Sequence, residues 1–177
     1  MPAKLLKKKV VHLGNVDGEP LAEKSKRYAK RFPSFRFVGI DMKKLKGVHP
    51  ANMTQVRTGF LKGLTKLDDA SVRVISSEMA FGMSASSMVR GLDSDKEKRY
   101  DKKVLKLAYK KLEPSGKFFV AIDAYNLVPF KEALKESGLQ FSKVEIRKFR
   151  ENEYGRTPWT REMKPYPIIY QVTLVKP

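Results

Sequence analysis

Three short apolar runs constrain this chain more than any other feature. Residues 9–13 (Lys-Val-Val-His-Leu), 35–40 (Phe-Arg-Phe-Val-Gly-Ile) and 117–123 (Lys-Phe-Phe-Val-Ala-Ile-Asp) are too short for helices, and their apolar side chains follow one another instead of alternating. Strands of that kind are buried on both faces, which requires a mostly parallel sheet with helices above and below it. The three runs are therefore expected as adjacent or near-adjacent central strands.

The intervening segments supply the helices. Residues 20–31 begin with Pro20, suited to a first helical position, and place Leu21, Ser25, Tyr28, Ala29 and Phe32 on one apolar face. Residues 96–112 carry Tyr100, Val104, Leu107, Ala108 and Leu112 at helical spacing, with Lys102, Lys103, Lys106, Lys110 and Lys111 facing solvent, and Pro114-Ser115-Gly116 stops that helix. A third helix fits residues 128–137 and ends at Gly138. Residues 54–58 and 71–76 are β-branched enough for strands, while 78–94, rich in Ser, Met and Gly, reads as a long loop. Residues 141–149 alternate like a strand with one wet face, and a Pro-containing stretch leads to a last strand at 168–175. Joined without a helix, these two should pair antiparallel at one edge. Neither a repeat nor a linker divides the chain, so residues 1–177 are expected to form one domain with a short basic N-terminal segment, residues 1–9.

Charge indicates the partner. The chain has 37 Lys and Arg against 19 Asp and Glu, a formal net charge of +18, and its first 50 residues hold 13 basic and 4 acidic residues, half of the excess. Such an imbalance attracts polyanions and makes their binding salt-dependent. Structured RNA is favoured over an anionic membrane, because no helix pairs a basic face with a strong exposed apolar face. Lys4, Lys7, Lys8 and Lys9 form a candidate phosphate-contacting arm, and Arg161 is a further candidate RNA contact. The lone Trp159 reads as packing. Without Cys the chain has no disulfide framework, thiolate-held zinc or cysteine nucleophile. His12 and His49 leave little material for a metal site, and neither stands near a nucleophile turn. No secretory apolar segment and no run of membrane-spanning length occurs, so a cytoplasmic protein is expected.

Ligands of a doubly wound sheet bind beyond the carboxyl ends of the strands. Gly14 and Gly18 occupy the first strand-to-helix turn, and Asp41 ends the second strand, where a carboxylate can accept both hydroxyls of a ribose. A Gly-x-x-x-Gly spacing also suits an ordinary tight turn.

The ordered set is more specific. His12-Leu13-Gly14-Asn15-Val16-Asp17-Gly18-Glu19-Pro20-Leu21, then Arg31-Phe32-Pro33, Phe37-Val38-Gly39-Ile40-Asp41 and Leu112-Glu113-Pro114-Ser115-Gly116-Lys117, before a strand ending in Asp123, resembles a class I S-adenosylmethionine-dependent methyltransferase. Within that class it is most similar to the tRNA (guanine-N7) methyltransferases. The resemblance implies a Rossmann-like α/β fold, with a mostly parallel seven-stranded sheet, an antiparallel last strand and helices on both faces. It also implies S-adenosylmethionine held at Gly14, Gly18 and Asp41, and Glu78 in place of the catalytic-loop acid. Val16 stands where the family has its middle glycine and His12 where it has an acid. Residues 76–81 read Ser-Ser-Glu-Met-Ala-Phe in place of Asn/Asp-Phe-Pro-Asp-Pro-Trp, and the spacing from Thr157 to Glu162 departs from Thr-x-x-Glu. The expectation is an RNA-binding protein with a methyltransferase-like fold, associated with tRNA or the ribosome, catalytically degenerate and without a cofactor. The alternative is an active S-adenosylmethionine-dependent RNA methyltransferase. A Rossmann dehydrogenase does not fit the Val16 turn or the antiparallel sheet end.

Overall fold

The computed structural model describes residues 8–14, 20–42, 49–78, 81, 94–149 and 168–177. Its elements follow one another as β1 (Lys9–Leu13), α1 (Pro20–Arg31), β2 (Arg36–Asp41), β3 (Met53–Arg57), α2 (Phe60–Thr65), β4 (Val72–Glu78), α3 (Ser94–Lys111), β5 (Leu112–Asp123), α4 (Ala124–Glu136), β6 (Lys143–Lys148) and β7 (Ile169–Val175). The strands form one seven-stranded sheet in the order β3-β2-β1-β4-β5-β7-β6. β1 pairs parallel with β2 on one side and β4 on the other, and β4 pairs parallel with β5. β7 runs antiparallel to both β5 and β6. The expected Rossmann-like α/β architecture, with a parallel centre and an antiparallel end, is the one observed.

Alternate residues divide each central strand between two layers. Val11, Leu13, Val38, Ile40, Ile75, Phe118, Val120 and Ile122 pack with Leu64 of α2, Leu105 and Ala108 of α3 and Phe130 of α4. On the opposite face Phe37 and Met53 meet Ala29 of α1, with Val10 and Phe35 partly buried beside them. Fully burying such a side chain stabilises the fold by about 1.5–3 kcal/mol, so the continuous apolar runs hold their strands at the centre.

Several expectations need correction. α2 was not foreseen, because six residues are too few for a period to register and Gly63 reads as a helix breaker. In fact Gly63 lets the helix lie on the sheet: a Cβ there would collide with the side chain of Ile40. α4 starts at Ala124 and not at residue 128, because Asp123 caps it, its side chain accepting from the backbone N–H groups of Tyr125 and Asn126. Pro129 lies inside the helix. α3 ends at Lys111, ahead of Pro114-Ser115-Gly116, because β5 begins at Leu112 and passes through that turn with a register shift against β4.

Lys111 does not face solvent. It is 6% exposed, and its ammonium donates to Asp69 Oδ1 and Leu67 O, each at 2.6 Å, because the end of α3 tucks beneath the start of β4. β6 has no dry face; all six residues are exposed, as befits an edge strand lying beyond the last helix. Tyr28 and Phe32 are also not core. α1 approaches the sheet through the small residues Ser25 and Ala29, leaving Tyr28 49% and Phe32 40% exposed on its flank. Of the long loop expected at 78–94, Glu78 belongs to β4, Phe81 is buried against Phe118 and Phe130, and Ser94 begins α3. Residues 79–80 and 82–93 lie outside the described residues.

Replacing Gly63 by Val should overpack the α2–β2 contact and cost about 1–3 kcal/mol of folding stability. Urea unfolding would show this as a lower midpoint with an unchanged slope.

Candidate functional site

The parallel strands end along a single edge, and that edge collects the residues nominated from the sequence. β1 passes into Gly14, whose φ of +83° is in the left-handed region that only glycine adopts without strain, and its N–H donates to Ile40 O at 3.1 Å. Leu13 pairs in register with Ile40, so Gly14 and Asp41 stand side by side at the ends of β1 and β2. Asp41 is 8% exposed, it pairs in register with Arg57, and its backbone carbonyl accepts from Thr58 N–H at 2.9 Å. Glu78 ends β4 beside Ala121 of β5. Gly14, Asp41 and Glu78 thus come from three adjacent strands, with β1 in the middle. Gly18 and Val16 lie outside the described residues.

Two further residues stand at this edge: Asp123, read from the sequence only as a strand end, and Tyr125. The carboxylate of Asp123 accepts from Tyr125 N–H at 2.8 Å, Asn126 N–H at 3.0 Å and the Asn126 side-chain amide at 2.7 Å, so it is committed to starting α4. That cap sets Tyr125, 84% exposed, in the first turn of α4, directly after β5, the strand that pairs with Glu78. The available clue was an aromatic residue two positions after a strand-terminal Asp.

His12 dominates the electrostatics of the first turn. It lies one residue before the end of β1, between Gly39 of β2 and Ser76 of β4, and is 2% exposed. Its Nδ1 is 2.7 Å from Ser76 Oγ, and its Nε2 has no hydrogen-bond partner among the described residues. Burial pushes its pKa down from 6.5 to about 4, because a buried imidazolium forfeits its hydration. At neutral pH the side chain at this position is therefore uncharged.

Of the candidate RNA contacts, only Lys8 and Lys9 fall among the described residues. Lys8 is exposed, but Lys9 bonds Asp68 Oδ2 at 2.7 Å at the start of β1. A five-residue strand is about 16 Å long, so that ion pair lies at the edge of the sheet opposite Gly14. Lys4, Lys7 and Arg161 lie outside the described residues. Among the described residues no helix is long and apolar enough to cross a membrane.

No protein-family model and no curated protein sequence matches the chain. Solved structures do. The 16S rRNA methyltransferase KamB superposes with a TM-score of 0.63 at 18% identity, covering 96% of this chain and 88% of its own. A variant of the 16S rRNA (adenine(1408)-N(1))-methyltransferase from Catenulisporales acidiphilia, solved with its cosubstrate SAM, gives 0.59 at 13% identity over 96% and 86% of the two chains. A SAM-dependent methyltransferase from Archaeoglobus fulgidus gives 0.58 at 15% identity over 97% and 88%. The likeness is one of fold, and it extends over nearly the whole chain.

The buried imidazole makes a sign-definite prediction about stability. Below pH 6.5 the unfolded chain takes up a proton at His12 that the folded protein refuses until about pH 4. The contribution is thus fully present above pH 6.5 and is lost as pH falls through this window, by about 3 kcal/mol. Urea midpoints of the native protein and of His12→Gln should diverge accordingly, the native protein losing more stability between pH 7 and pH 4.5.

Proposed function

We propose that this protein is an RNA-binding protein on a class I methyltransferase fold, cytoplasmic, with structured tRNA or rRNA as its partner, and that its cofactor turn no longer supports methyl transfer. The observation that carries this reading is His12: a buried, neutral imidazole occupies the strand end where the resembled family places an acid. The net charge of +18 supplies the sequence-independent attraction that RNA binding needs. The tRNA (guanine-N7) resemblance and the 16S rRNA enzymes among the structural neighbours both belong to RNA chemistry, which supports RNA as the class of partner.

S-adenosylmethionine is the methyl donor used by enzymes of this fold. The residues present do not fit it as a set. Asp41 and Gly14 stand where a ribose and an adjacent backbone would meet, but the Gly14 N–H is spent on Ile40 O. His12 provides no negative charge, and Val16 adds a branched side chain to the turn. No methyl-transfer step is therefore derived. The adjacency of Gly14 and Asp41 favours a second reading, an active RNA methyltransferase. In it Asp41 holds the ribose and Glu78 approaches the target base, with Gly18 completing the turn.

Overpacking at Val16 costs about 1–3 kcal/mol and the missing charge-assisted hydrogen bond at His12 about 1.5–3 kcal/mol. If independent, the two weaken a micromolar site by roughly two to four orders of magnitude. Isothermal titration should then detect no S-adenosylmethionine binding at ordinary concentrations, and His12→Glu combined with Val16→Gly should recover part of it. Micromolar binding by the unmodified protein would establish the enzyme reading instead. Affinity for a folded tRNA should fall linearly with salt on logarithmic axes, and a salt-independent affinity would exclude phosphate neutralisation as its source.

A further inference from the structure

The C-terminal turn of α1 carries an aromatic ladder that the fold does not use as core. Phe35 is partly buried against the cluster of Ala29, Phe37 and Met53. Phe32 meets it edge-on, with ring centroids 6.2 Å apart, and Tyr28 follows 6.1 Å further out. The two outer rings are 40% and 49% exposed. Their support is rigid: the Asn52 side-chain amide donates to Ala29 O at 2.9 Å, Phe35 O at 3.0 Å and Phe32 O at 3.2 Å. One side chain thus fixes the helix end and the turn that present the rings, so little ordering is left for a ligand to impose.

The surroundings of these rings are cationic. Residues 25–36 contain Lys26, Arg27, Lys30, Arg31 and Arg36 and no Asp or Glu. Arg31 places its guanidinium 5.5 Å from the centre of the Phe32 ring. Lys8, exposed, joins the same edge through its carbonyl, which accepts from Arg36 N–H at 3.0 Å. Because α1 ends where β2 begins, this surface lies at the amino edge of the sheet, on the opposite side of the molecule from Gly14 and Asp41.

We propose that this surface binds unpaired RNA, with bases stacking on Tyr28 and Phe32 and phosphates held by Arg27, Lys30, Arg31 and Arg36. Stacking requires a base with a free face, which a duplex conceals, and rings interleaved with cations suit a single strand. The inference rests on RNA being the partner, and it adds a second contact surface remote from the strand-end site.

Fluorescence anisotropy with a short oligouridylate, an RNA duplex of equal length and polyglutamate tests it. Tyr28→Ala with Phe32→Ala should weaken oligouridylate binding by about tenfold or more, leaving duplex affinity and the salt slope unchanged. Arg31→Gln with Arg36→Gln should instead flatten that slope by about 1.4. Tyr28→Phe with Phe32→Tyr should retain affinity, and unchanged urea midpoints should show that the variants fold. Oligouridylate affinity indifferent to loss of the rings would overturn the proposal. An equal ring-dependent loss for polyglutamate would also overturn it, because the surface would then belong to an acidic protein. Ring-dependent oligouridylate binding without folded-tRNA binding would keep this surface and sink structured tRNA as the partner; ring-independent binding with folded tRNA still bound would do the reverse.

Discussion

Everything else in the structure depends on β1 being paired in parallel on both sides. A strand so placed has no edge and no wet face, so Val11 and Leu13 must be apolar, and the chain has to leave toward β2 and return to β4 on opposite sides of it. The reversal opens a crevice at the carboxyl end of β1. Gly14, Asp41 and Glu78 reach that crevice through strand register alone. The same burial takes His12 out of water and strips its charge, so the device that builds the crevice also sets its electrostatics.

What the sequence disclosed follows from how many residues carry each signal. Unbroken apolar runs such as residues 117–123 report burial on both faces redundantly, and they placed the central strands. Gly14 and Asp41 were legible for the same reason, since a strand end fixes its terminal residue. α2 was not legible, because its placement rests on one missing Cβ against Ile40. Nor was the start of α4, which rests on one carboxylate, Asp123. Lys9 read as a candidate phosphate contact and Lys111 as a solvated charge because their partners, Asp68 and Asp69, are distant in sequence and arrive only with the folded sheet. Tyr28 and Phe32 satisfied the helical period of a buried face, yet the small Ser25 and Ala29 govern how closely α1 approaches. Periodicity reports a face, not the depth at which it is buried.

The two poles of the sheet bear different chemistry. The carboxyl edge has the geometry of a cofactor fold but a neutral imidazole at its centre, whereas the amino edge has exposed rings among cations and no acid in the adjoining helix turn. In the proposed reading the fold persists as a rigid carrier of basic surface. Such a role asks for a stable sheet and well-placed side chains, and it does not ask for the close backbone approach that a middle glycine permits.

The state of His12 tests this account most directly. Nitrogen-edited NMR of its imidazole, recorded across pH with and without S-adenosylmethionine, reads protonation and ligand contact at one residue. The expected result is a neutral ring down to about pH 4 whose shifts do not respond to submillimolar S-adenosylmethionine. A ring that titrates near 6.5, or that moves on addition of the donor, would contradict the buried neutral site and return the protein to the methyltransferases in function as well as in fold.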